Sequence, residues 1–78
     1  MSLVRKRSVT IRGHRTSYSL EQPFLDDLVS IAAERGLALA ALIAEIDENR
    51  PREANLSSAL RLYVLDWAKK RHTRSADQ

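Results

Sequence analysis

The chain has 78 residues, a net charge of +3 and no cysteine, and it is 44% hydrophobic and 29% charged. That composition belongs to a folded domain rather than a disordered tract, and the length predicts one small domain whose core gains from a second copy. The absence of cysteine excludes disulfides and thiolate-held metals and fits a reducing cytoplasm, the expected location.

The longest apolar run, Gly36 to Ala44, falls far short of the roughly 18–20 residues a membrane-spanning helix needs. The basic start, Met1 to Arg7, is followed by no apolar core and does not read as a secretory leader. Charge is segregated along the chain. Residues 1–22 carry five basic residues against Glu21, residues 23–50 carry two basic against six acidic, and residues 51–78 carry six basic against three acidic. A basic amino end on a small domain points to a polyanionic partner touched mainly by that end.

In chain order, a basic arm over 1–7 leads into a ribbon region over 8–20. Ser8-Val9-Thr10-Ile11 alternates with its apolar residues at odd positions, and Thr16-Ser17-Tyr18-Ser19-Leu20 alternates with them at even positions. One flat strand would put the two sets on opposite faces, so something between them shifts the phase, and Gly13 is the residue suited to a bulge or turn. A hairpin and a single kinked strand both satisfy this. A strand with one polar, basic side needs a partner strand, and two strands together make a ribbon of a width that enters the major groove of DNA.

A first helix is predicted over 23–35, opened by Pro23 and stopped by Gly36, with Phe24, Leu28, Ile31 and Ala32 at helical spacing. A second follows over 38–48 with the stripe Leu39, Leu42, Ile43 and Ile46, opposed by Glu45 and Glu48. Residues 49–55 break around Pro51 as a loop. A third helix over 56–71 takes Asn55 or Ser57 as cap and carries Leu56, Leu60, Tyr63, Val64 and Trp67 along one side. Residues 72–78 read as a frayed tail. The fold class is mainly α, with one or two short amino-terminal strands.

Strand, helix, short link and helix, carried by Ser17 to Phe24, by Ala33-Glu34-Arg35-Gly36-Leu37 and by the helix that begins there, resemble the ribbon-helix-helix superfamily of bacterial DNA-binding proteins, which contains the Arc and Met repressors. With the lead-in Gly13 to Ser17 and the third helix from Asn55 to Arg61, the whole chain looks like a small family of that superfamily. The resemblance implies an intertwined homodimer in which one strand from each chain pairs antiparallel above four interlocked helices. Tyr18, Leu20, Leu28, Ile31, Leu39, Leu42, Ile43 and Ile46 would then form the shared core.

If Tyr18 and Leu20 face the core, period two turns Arg15, Ser17 and Ser19 outward, at positions that match the superfamily's base readers. Arg15 suits guanine O6 and N7, whereas Ser17 and Ser19 are short and permissive. Glu21 shares that face and would repel phosphate. Arg5, Lys6, Arg7 and Arg12 are expected on phosphates, without reading bases. The resemblance adds the main-chain amides of Ala38, Leu39 and Ala40, at the start of the second helix, as a phosphate clamp.

The functional expectation is a sequence-specific or semi-specific binder of double-stranded DNA, a transcriptional regulator without catalytic activity, cofactor or metal. Its partners are itself, as dimer or tetramer, and DNA. The alternative is an antitoxin-like interaction module that binds a protein through the third helix. His14 and His72 lack spaced ligands for a metal. Ser17, His14 and Asp26 form a triad on paper alone, and Tyr63 with Trp67 reads as packing.

Overall fold

The computed structural model describes residues 4–76, and side chains over residues 4–71. The phase shift between the two alternating segments resolves as a hairpin. Strand β1 spans Val4–Ile11 and strand β2 spans His14–Glu21, paired antiparallel from Val4↔Glu21 to Ile11↔His14. Every partnered pair joins an odd position to an even one. Apolar residues at odd positions of β1 and even positions of β2 therefore share one face. Arg12 and Gly13 form the two-residue loop, both at positive φ, 51° and 80°. Such a loop matches the twist of the strands it joins, and glycine takes the second position without steric cost.

Strand β1 begins at Val4, so Arg5, Lys6 and Arg7, expected in a free arm, lie in the ladder. Opposite the regular alternation of Ser17 to Leu20 they gain backbone partners, and this offsets a composition poor in strand formers. Within this chain β1 and β2 form a two-stranded sheet. The resemblance implied a strand from a second copy as the partner of β2; here β1 fills that place.

Helix α1, Gln22–Arg35, follows β2 directly, with Pro23 in its first turn. It ends in a left-handed Gly36 at φ 70°, where Gly36 N–H donates to the Ala33 carbonyl at 3.1 Å and Leu37 N–H to the Ala32 carbonyl at 2.8 Å. These two bonds satisfy carbonyls that a helix end would otherwise leave open. Helix α2 spans Leu39–Asn49. Helix α3 spans Leu56–Ala76, and the oxygen of Asn55 accepts the Ser58 N–H at 2.8 Å as its cap. The helix therefore runs through most of the segment expected to fray from residue 72, while residues 77–78 lie outside the described part.

The core lies between the inner face of the hairpin and the three helices. Ile11, Tyr18 and Leu20 meet Leu25, Leu28, Ile31 and Ala32 of α1, Leu42, Ile43 and Ile46 of α2, and Leu56, Leu60 and Val64 of α3. All the residues expected in a shared dimer core are thus buried within this chain, except Leu39, which is half-buried. Tyr63 and Trp67 stack at 6.3 Å between ring centroids and pack against the same cluster. Arg35 ties the ends together: its guanidinium donates to the Glu45 carboxylate of α2 and to the Tyr63 hydroxyl of α3.

Candidate nucleic-acid interface

The pairing register determines which side chains share the face turned away from the helices. Arg15 lies opposite Thr10, Ser17 opposite Ser8, and Ser19 opposite Lys6. Directly opposed residues point to the same side of a sheet, and Thr16, Tyr18 and Leu20 point the other way, into or beside the core. The outward face thus carries Lys6, Ser8, Thr10, Arg15, Ser17 and Ser19. Ser8 and Thr10 were not singled out from the sequence. Their signal was present in the polar even positions of β1, and became usable once the hairpin register was known.

The basic residues divide between the two faces. Lys6 and Arg15 lie on the outward face, and neither has a carboxylate partner among the described residues. Arg5 and Arg7 belong to the helix-facing set, opposite Leu20 and Tyr18. Arg7 Nη2 donates to Gln22 Oε1 at 3.0 Å, which holds its guanidinium against the start of α1. Burial pushes the Tyr18 phenol up, against a lowering pull from Arg7. Arg12, in the turn, pairs with Glu48 at 2.7 Å, with both side chains more than half exposed. An ion pair this wet contributes about 0–1 kcal/mol, so a phosphate can compete for Arg12.

Glu21, on the outward side, is drawn away by α3. Arg61 Nε donates to its Oε1 at 2.9 Å, and the same guanidinium reaches the Ser19 carbonyl at 3.4 Å. Ser57 Oγ accepts the Ser19 N–H at 2.8 Å. Helix α3 thus seats on the free edge of β2 and neutralises the carboxylate that stood against phosphate binding. Neither Ser57 nor Arg61 was legible as a ribbon contact, because each lies about forty positions from its partner along the chain.

The same bond sets a pH dependence. Hydrogen bonding from Arg61 holds the Glu21 carboxyl below its ordinary value, and Arg35 does the same for Glu45. A carboxyl depressed in the fold contributes stability above its unfolded value and loses it as pH falls through the folded one. Thermal stability is therefore expected to hold from neutral pH to the ordinary carboxylate range and to decline below it. Glu21→Gln should flatten part of that decline, and an unchanged acid limb in the variant would contradict the assignment.

The ribbon-helix-helix domain matches residues 4–68. The chain belongs to that family. No curated protein and no solved structure matches it. Ribbon-helix-helix domains are commonly DNA-binding regulators or antitoxins, and typically non-enzymatic modules.

In this ribbon-helix-helix chain, Ala38 is the extended residue before α2, and no side chain caps that helix. The N–H groups of Leu39 and Ala40 precede the first intrahelical bond, donated by Leu42 to the Ala38 carbonyl. The opposite end of α2 abuts the hairpin turn through Glu48 and Arg12. The acidic run at the end of α2 is paired: Glu45 with Arg35, Asp47 with Arg50, and Glu48 with Arg12. Ser17 and His14 point to opposite faces of β2, so the structure does not assemble them with Asp26 as a triad. Among the described residues no cluster of His, Asp and Glu could hold a metal, and no helix is long and apolar enough to cross a membrane. The side chain of His72 lies outside the described set.

Proposed function

We infer that this chain is a cytoplasmic DNA-binding transcriptional regulator that lays its own β1–β2 hairpin in the major groove. The observation that carries the reading is the outward face, where Lys6 and Arg15 stand among four hydroxyl side chains with no carboxylate partner for either. Two strands lie about 4.8 Å apart, and the major groove is about 12 Å wide, so one hairpin fits it. In this reading Arg15 reads guanine, and Ser17 and Ser19 read permissively. Lys6 and Arg12 hold phosphates, Arg5 and Arg7, on the helix-facing side of the hairpin, drop out of that set, and the amides of Ala38, Leu39 and Ala40 orient the complex.

Selection from a random duplex pool with purified protein is expected to enrich a short motif. Affinity for that motif should fall with salt at a log–log slope near −5 if two copies together neutralise about six phosphates. Failure to retain any duplex at low salt overturns the reading. A second reading, as an antitoxin-like module, draws support from α3, where Leu62 and Leu65 are 61% and 47% exposed. It would require a protein partner on that helix, and capture of the same partner by a Leu62→Asp variant would count against it.

A further inference from the structure

The two strands carry one carboxylate, Glu21, and it falls on the outward face two positions beyond Ser19. Lys6 stands opposite Ser19, so Lys6 and Glu21 are diagonal neighbours on that face. Such neighbours lie about 7–8 Å apart, within reach of a long side chain. The separation is also inside the screening length of about 10 Å at 0.1 M salt. Left alone, the Glu21 carboxylate would draw in the Lys6 ammonium and repel the phosphate that Lys6 is placed to hold.

The structure gives Glu21 a different partner. Arg61 Nε donates to Glu21 Oε1 at 2.9 Å and Arg61 Nη2 to the Ser19 carbonyl at 3.4 Å, so one guanidinium grips the carboxylate and the strand edge beside it. Their side chains are 31% and 29% exposed, about half the values of the Arg12–Glu48 pair, so water screens this contact less. Arg61 is also anchored. Its neighbour Leu60 has no solvent exposure, and one turn earlier Ser57 Oγ accepts the Ser19 N–H at 2.8 Å. A planar fork set in place by packing loses less freedom on pairing than the lysine stem across the ribbon.

We propose that Arg61 is a positioning residue for DNA binding: it holds the Glu21 carboxylate to α3 and so leaves the Lys6 ammonium free for phosphate. The proposal rests on the DNA reading above and adds α3 to the binding unit without giving it a contact to DNA. Affinity then depends on α3 staying seated on the β2 edge.

The test titrates the full chain and its variants against the selected duplex at several salt concentrations, with circular dichroism confirming the folded state of each. Arg61→Ala is expected to bind about tenfold more weakly. Its salt slope should shrink in magnitude by about 1, as for loss of the Lys6 contact. Adding Glu21→Gln to Arg61→Ala should restore the slope and bring affinity to within about twofold of the unaltered protein, because the two sites act as a coupled pair. Adding Asp66→Asn instead, which restores the same net charge at the exposed Asp66–Lys70 pair, should restore neither. Arg61→Lys should keep most of the affinity, since an ammonium also pairs with Glu21. Should Arg61→Ala not fold, Arg61→Gln takes its place in the same comparison. Unchanged affinity in Arg61→Ala, a loss that Glu21→Gln leaves in place, or equal rescue by Asp66→Asn overturns the proposal. Absence of duplex binding by the unaltered protein is a separate result, which overturns the DNA reading and this proposal with it.

Discussion

Leu60→Ala is expected to lower the unfolding free energy by about 2–5 kcal/mol, the range for truncating a fully buried leucine. Leu62→Ala, two positions on and 61% exposed, should stay within about 0.5 kcal/mol of the unaltered protein. Leu60 has no solvent exposure and sits between Leu56 and Val64 on the buried side of α3, which meets β2, α1 and α2 together. A cavity there loosens the helix that holds the ribbon edge, because Ser57 and Arg61 flank Leu60 within one turn. Small domains have stabilities near the lower end of about 5–15 kcal/mol, so the variant should show a truncated folded baseline in urea at 25 °C. Hydrogen exchange adds a local readout: the Ser19 amide, bonded to Ser57, should lose protection in Leu60→Ala and keep it in Leu62→Ala. Equal urea midpoints for the two variants would remove α3 from the core described above.

The elements were legible because each rests on local chemistry. Pro23 and Gly36 bracket α1, the Leu39, Leu42, Ile43 and Ile46 spacing marks α2, and Asn55 opens α3. The outward parity of Arg15, Ser17 and Ser19 followed from period two once Tyr18 and Leu20 were assigned to the core, and both are buried. The partner of β2 was not legible. The parity switch between Ile11 and Thr16 was visible, but a bulge and a two-residue loop account for it equally well until the pairing itself is seen. Contacts over long sequence separation were hidden for the same reason. Nothing local marks Arg61 as the partner of Glu21, or Ser57 as the group that ends the β2 edge. The pairing of the acidic end of α2 was hidden likewise, because Arg12 and Arg35 reach it from other elements.

Arg15→Ala is expected to weaken binding to the preferred duplex by about 1–3 kcal/mol, roughly 5- to 150-fold, while leaving binding to unrelated duplexes nearly unchanged. A guanidinium presents a planar fork that matches guanine O6 and N7, and replacing it removes both bonds at one base step. Arg15 stands on the outward face opposite Thr10, close to the turn and away from Glu21, which Arg61 holds at the other end of the strand. Lys6→Ala supplies the contrast. Its ammonium, opposite Ser19, is a point charge suited to phosphate, so its loss should weaken all duplexes alike and reduce the magnitude of the salt slope by about 1. The pair separates reading from holding: each variant is titrated against the selected site and a scrambled duplex at several salt concentrations. If Arg15→Ala loses affinity equally on both duplexes, Arg15 is another phosphate contact. Any sequence preference must then come from Ser8, Thr10, Ser17 and Ser19, or from the deformability of the duplex.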